Sequence, residues 1–389
     1  MGGSLSRRET PSLTLRVGMR QIQPLAVLSS EPEIIMRTQT RRVATALFAI
    51  GTLLSGLPGF ALDRPGDGKP FVQVPDTVSP AARKYLESLT DPAALPAWPA
   101  ADDFAGWKKA WQAAEAASEP KVQATLKRYE PSVEKRKIGG VPVLDIKPKG
   151  WKPSSKLLVH LHGGAYTFYS AHSRLVSSVP AADATGLRVI SIDYTLAPVG
   201  KWRQVTDEVL AVFAGLQKDG HKLKDIAIYG ESAGGALAAG SVLKMRDQGQ
   251  GMPAAVVLWS PWADITNRGD SGLTLKDFEP TYLYDKHLRR AADAYADPKD
   301  QKNPYVSPIY GDYAKGFPPT LIQGGTREIF LSHFVRQYRA IDDAGGTAIL
   351  DLYEGMPHVF QMRPELAYTR ETRTAMAKMA AFLKRRMGE

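Results

Sequence analysis

The amino-acid sequence predicts an α/β protein built on a mostly parallel, eight-stranded sheet. Three observations carry this expectation. Strand-like segments recur near residues 133–139, 141–147, 156–162, 187–193, 225–229, 254–259, 319–323 and 347–353. The central ones, such as Ala254-Ala255-Val256-Val257-Leu258-Trp259, are continuous apolar runs, the pattern of strands covered on both faces. Helix-like stretches intervene at about 172–185, 201–218, 233–246, 331–344 and 365–386, and alternating strands and helices are how parallel sheets are connected.

Along the chain, residues 1–35 carry no periodic pattern, and Met36 is read as the natural start. Met36-Arg37-Thr38-Gln39-Thr40-Arg41-Arg42 is basic, Val43 to Leu57 is an apolar stretch of 15 residues, and Gly59-Phe60-Ala61 puts small residues at −3 and −1. This is the layout of a secretory signal peptide, too short for a comfortable membrane span. Residues 1–61 are therefore expected to be an N-terminal extension and signal peptide (about 36–61). The protein would be exported, periplasmic or secreted, beginning near Leu62, without stable membrane insertion. In 62–132, helices are expected over Val78 to Ser88, begun by Ser79-Pro80, and over Asp102 to Ala117, begun by Asp102-Asp103. Residues 133–389 are expected to form one domain around the sheet. The span from Asp264 to Pro318 exceeds a normal connection, so an insertion at about 264–318, with a helix near 281–296, contributes to a lid.

Composition narrows the function classes. The chain is 43% hydrophobic and 23% charged, has no cysteine, and carries a net charge of +10. Without cysteine there is no disulfide or thiolate metal site. No His-Glu-x-x-His and no glycine-rich phosphate loop occurs, so neither metal nor cofactor is expected. Residues 1–61 hold seven Arg and three Glu. The remaining basic residues are scattered except for Lys135-Arg136-Lys137 and Lys384-Arg385-Arg386. Such short runs are solvated faces or helix C-terminal charges, and a nucleic-acid partner is not expected.

The chemistry is carried by Tyr229-Gly230-Glu231-Ser232-Ala233-Gly234-Gly235. A strand leads into Gly-x-Ser-x-Gly and an Ala-rich helix follows, which is the context of a nucleophile elbow. Any Cβ at 230 or 234 would crowd the neighbouring strand or helix. Upstream, the strand at Leu157 ends in His162-Gly163-Gly164-Ala165. The N–H groups of Gly163 and Gly164, with that of Ala233, are the expected oxyanion donors. A serine nucleophile needs a base and an orienting acid. His160, His162, His172 and His221 precede Ser232, His287 and His333 read as helical, and His358 lies in a Gly/Pro loop after the last strand. The base is assigned to His358. Glu328 is the carboxylate in the loop after the strand near 319–323 and is the expected acid; Asp351, inside the last strand, is the runner-up. Glu231 is expected to orient the cap or a loop.

These motifs resemble a known family. His162-Gly163-Gly164-Ala165, Asp193-Tyr194-Thr195-Leu196-Ala197-Pro198, Gly230-Glu231-Ser232-Ala233-Gly234-Gly235 and Gly355-Met356-Pro357-His358 look like the hormone-sensitive-lipase-like (bacterial family IV) carboxylesterases. The ε-lactone hydrolase and small-ester branch looks most similar. The resemblance covers about residues 75–388. It implies an α/β-hydrolase fold with a helical cap and cofactor-free ester hydrolysis, with Ser232 the nucleophile and His358 the base. Three departures stand out. Where the family usually has Asp-x-Leu-x-Asp, this chain has Glu328-Ile329-Phe330-Leu331-Ser332; Val199 stands in place of Glu after Ala-Pro; and His-Gly-Gly-Ala replaces His-Gly-Gly-Gly.

The expected substrates are uncharged short- to medium-chain esters or lactones. The pocket candidates Tyr166, Phe168, Trp202, Trp262, Phe278 and Val359 are apolar or aromatic, and an unpaired carboxylate buried among them would be costly. A lactonase, amidase or polyester hydrolase on the same fold is the alternative, and a non-catalytic hydrolase-like binding protein the remote one. The sequence leaves the oligomeric state open, a homodimer included.

Overall fold

The computed structural model of the protein describes residues 73–388; the signal peptide expected at about 36–61 lies outside them. The first elements are α1 (Pro80–Glu87) and α2 (Phe104–Tyr129). Ser79 caps α1 by accepting from Ala82 N–H, and Asp103 caps α2 by accepting from Gly106 N–H, each satisfying an orphan donor of the first turn. α2 runs well past its expected end at Ala117, through Pro120. The Ser118 and Thr125 hydroxyls bond to the carbonyls of Ala114 and Lys121, and Val122 is fully buried. That burial outweighs the hydrogen bond lost at the proline.

The sheet contains β1 (Ser132–Ile138), β2 (Val141–Lys147), β3 (Leu157–Leu161), β4 (Arg188–Ile192), β5 (Ile226–Glu231), β6 (Ala255–Trp259), β7 (Thr320–Gly325) and β8 (Ala348–Tyr353). Their spatial order is β1-β2-β4-β3-β5-β6-β7-β8. β2 pairs antiparallel with both β1 and β4, and every later pairing is parallel. The remaining helices are α3 (Leu175–Thr185), α4 (Trp202–Lys218), α5 (Ala233–Asp247), the short α6 (Ser271–Thr274), α7 (Arg289–Tyr295), α8 (Leu331–Asp342) and α9 (Arg370–Met387).

Side chains alternate along each strand, so the sheet has two buried faces. Leu157, Val159, Ile190, Ile228, Val256 and Leu258 meet α4 and α5 through Val205, Phe213, Leu237 and Val242. Leu158, Val189, Ala227, Tyr229 and Val257 meet α3 and α9 through Val179, Met379 and Phe382. α9 starts at Arg370 rather than near 365, because Pro364–Leu366 forms a 3-10 turn and Thr369 caps the helix by accepting from Thr372 N–H. The insertion helix is also shorter than expected, a π-helical turn at Tyr284–Leu288 leading into α7. The sheet thereby gathers the ends of β3, β5, β6, β7 and β8 at one edge, where open α/β folds place their sites.

Candidate active site

Ser232 stands between β5 and α5 with φ 58° and ψ −122°, a conformation strained for a residue with a Cβ. The surroundings enforce it. Ser232 N–H donates to Trp259 O at 2.8 Å, and Trp262 N–H donates to Ser232 O at 2.9 Å. A Cβ on Gly230 would lie 2.3 Å from Gly234 O, and one on Gly234 would lie 2.0 Å from Leu161 O. The two glycines are thus required by close backbone approach.

His358 follows β8 in the Gly-Met-Pro loop, and Glu328 follows β7. His358 Nε2 lies 2.9 Å from Ser232 Oγ, and its Nδ1 lies 2.6 Å from Glu328 Oε2. With Nδ1–H donating to the carboxylate, Nε2 is left to accept the serine proton, the tautomer a general base needs. Glu328 is fully buried, and its second oxygen accepts from Ser260 Oγ and Gly325 N–H, both at 2.7 Å. Ser260 also accepts from Val359 N–H at 3.1 Å, tying the base's loop to the acid's partner. Tyr282 and Phe330 set their edges against the imidazole, with centroids 5.4 and 5.1 Å away. Asp351 is placed elsewhere, bound to Gln323, Tyr353 and Lys378.

The expected oxyanion set needs one correction. Gly163 N–H donates to Glu231 Oε1 at 3.0 Å and is not free for an oxyanion. The N–H groups of Gly164 and Ala233 have no acceptor among the described residues, and that of Ala233 opens the N-terminus of α5, where anions are favoured. Gly163 is a glycine because a Cβ there would come within 2.7 Å of Glu231 O. Glu231 ties down the donor loop: its other oxygen meets His160 Nε2 at 2.8 Å and Ser177 Oγ at 3.2 Å. Burial pushes its carboxyl up, but His160, Gly163 N–H and Arg174 together outweigh this and hold it low. His160, His162, His287 and His333 are buried and apart from the Ser232–His358–Glu328 array. Burial pulls His162 and His333 down to about 4. His287, read as helical, lies in the π-helical turn and is buried, with Nδ1 accepting from Leu283 N–H.

A cavity of about 400 Å³ opens onto His358, within the size range of small-molecule sites. α2 walls it with Ala114, Ala117, Ser118 and Lys121, and the insertion with Thr281 and Tyr282. Of the six pocket candidates, Val359 lines it. Tyr166 is buried in a stack on Tyr295 at 3.6 Å, Trp262 stacks on Phe330, and Phe168 packs against Trp98 and Trp107. Trp202 begins α4, and its indole N–H donates to Asp300 Oδ2 at 3.1 Å. Phe278 is half-buried outside the cavity wall. Large aromatics near the motifs serve as core here because their area is worth more buried than lining a wet pocket. The wall also contains Arg174 and Arg363, which the sequence reading missed. Single arginines in helical or loop context look like surface residues until the fold brings them together. A neighbouring cavity of about 390 Å³ shares Arg363 but touches neither Ser232 nor His358.

Ser332, at one of the positions where the sequence departs from the family it resembles, donates its hydroxyl to Asp270 and accepts from Ser271 N–H, so a carboxylate from the insertion meets it. No group of three or more metal-ligating side chains occurs among the described residues.

The chain is similar to known proteins in sequence and in structure. A family model described as alpha/beta hydrolase fold matches residues 158–362. An esterase of Acinetobacter venetianus is 32% identical over 253 residues, covering 65% of this chain and 82% of that protein. An acetyl-hydrolase of Streptomyces hygroscopicus is 32% identical over 246 residues, 61% of this chain and 78% of that one. Among solved structures, esterase E25 superposes with a TM-score of 0.75 at 30% identity, covering 80% of this chain and 95% of that one. An esterase from the bacterial hormone-sensitive lipase family gives 0.63 at 31%, covering 66% and 85%. The chain belongs to the alpha/beta hydrolase fold family, among its hormone-sensitive-lipase-like esterases.

Proposed function

We propose that the protein hydrolyses carboxylic esters, lactones included, through a Ser232–His358–Glu328 triad and an acyl-enzyme. The observation that carries this reading is the unbroken line from Ser232 Oγ through His358 to Glu328, with contacts of 2.9 and 2.6 Å. Ser232 attacks the ester carbonyl as His358 Nε2 takes its proton, and Glu328 stabilises the resulting imidazolium. The N–H groups of Gly164 and Ala233 receive the oxyanion, each worth on the order of 3 kcal/mol to the barrier. His358 then protonates the leaving alcohol, and water repeats the sequence on the acyl-enzyme. α2 and the insertion act as the cap. The names of the relatives, esterase and acetyl-hydrolase, support the ester bond as the target.

The limited cavity favours short to medium acyl groups. Measuring kcat/KM over p-nitrophenyl esters from acetate to palmitate, with a small lactone alongside, tests this. The optimum is expected at short to medium chains, and a maximum at laurate or longer would contradict the reading.

A further inference from the structure

The cavity beside His358 is basic where an apolar pocket was expected. Arg174, Arg363 and Lys121 line it, and neither Asp nor Glu does. Lys121 is paired with Glu365, so the excess charge comes from the two arginines. Of the other carboxylates nearby, Glu231 is held by His160 and Gly163 N–H with Arg174 in its field, Glu115 accepts from Ser170 and Ser173, Glu119 pairs with His172, and Glu279 accepts from Thr281 N–H and Ile329 N–H.

The two arginines differ in what they have left to give. Arg363 spends its donors on His358 O, at 3.1 and 2.9 Å, and on Tyr85 Oη at 2.7 Å. It has no ion-pair partner among the described residues, so it contributes charge beside the base. Arg174 has no ion pair among the described residues either. Its guanidinium lies 3.4 Å from the Tyr169 ring centroid, and its Nε is buried without an acceptor. A guanidinium carries five N–H donors and stays charged. Leaving its buried Nε–H without an acceptor is costly. A carboxylate would match its planar fork. Ala114, Val176, Val359, Met362 and Pro364 give the rest of the wall an apolar character suited to a short methylene chain.

We propose that this cavity binds the carboxylate of an anionic ester. The preferred substrates are half-esters of dicarboxylic acids, with the free acid held by Arg174 in the field of Arg363 and the ester carbonyl presented to Ser232. This rests on the ester-hydrolase reading for the catalytic step, though not for the binding step, and it reverses the expectation of uncharged substrates.

The test separates the two. Binding of monomethyl adipate and of dimethyl adipate to the Ser232→Ala protein is measured by calorimetry, where no turnover intervenes. The monoanion is expected to bind about tenfold more tightly or better. The advantage should shrink with added salt, vanish in Ser232→Ala/Arg174→Gln, and be reduced without vanishing in Ser232→Ala/Arg174→Lys, which keeps the charge but loses the fork. In the active enzyme, the kcat/KM ratio of mono-p-nitrophenyl glutarate to its methyl ester should fall by a similar factor on Arg174→Gln. Equal or tighter binding of the neutral diester, measured with Arg174 intact, overturns the proposal. So does an advantage that persists in folded Arg174→Gln. Failure of the wild-type protein to turn over either ester would overturn the hydrolase reading while leaving the binding result in force.

Discussion

At the scale of single residues, two of the site's buried carboxylates besides Glu231 do different work. Glu328 holds the base, and its charge is matched by Ser260 Oγ, Gly325 N–H and the imidazole. Glu328→Gln keeps the shape and removes the charge that stabilises imidazolium. Turnover should fall on the order of a thousandfold or more, while Asp351→Asn should change it little. Steady-state kinetics on a p-nitrophenyl ester decide this, and the reverse ranking would mean the acid is misplaced. Glu279 is the second carboxylate. Burial, and then the charge of neighbouring Glu328, push it up to about 7. An ordinary Glu titrates near 4.3. Between these values the folded chain holds a proton that the unfolded chain has released. Its contribution to stability therefore falls as pH rises from about 4.5 to about 7, then levels. Glu279→Gln removes that slope. The Tm of the wild type minus that of the variant should decline across this window, and a difference that rises with pH would contradict the assignment. Ser232, Glu328 and His358 were legible because each ends a strand in a Gly-rich or Gly/Pro loop. Glu279, Ser260 and Arg174 were not. They sit in stretches with no periodic or motif character, and only the folded chain gives them partners.

At the scale of elements, the elbow is held by backbone touching backbone. Gly234 lets α5 approach within contact of β3, and an added Cβ would meet Leu161 O at 2.0 Å and His162 O at 2.6 Å. Gly234→Ala should destabilise the fold by about 1–3 kcal/mol and lower activity further by moving Ser232 away from His358. Denaturant unfolding together with kinetics checks both, and a variant of unchanged stability and rate would show the approach to be looser than described. Element positions followed the sequence closely in the sheet, where apolar runs have sharp ends. They failed at helix ends. α2 crosses Pro120 because Val122 and Thr125 are buried beyond it, and α9 starts late because Pro364–Leu366 turns first. Both outcomes are set by tertiary burial, which local propensity does not contain.

At the scale of the whole molecule, the sheet supplies the proposed triad and the segments outside it supply the cavity. β5, β7 and β8 end at Ser232, Glu328 and His358, while α2, α3 and the insertion wall the space above. The fold class was legible from strand–helix alternation. The pocket was not, because the aromatics flanking the motifs went into the core and the wall came from α2 and from arginines distant in sequence. The central claim is that Ser232 is the nucleophile, raised by its elbow and activated by His358. The most direct measurement is mass spectrometry after treatment with diethyl p-nitrophenyl phosphate, read on intact protein and on peptides. The account predicts one diethylphosphoryl group per chain, on the peptide containing Ser232, with loss of esterase activity in step and no labelling of Ser232→Ala. A chain that hydrolyses esters yet carries the label on another residue, or labels equally after Ser232→Ala, would contradict it.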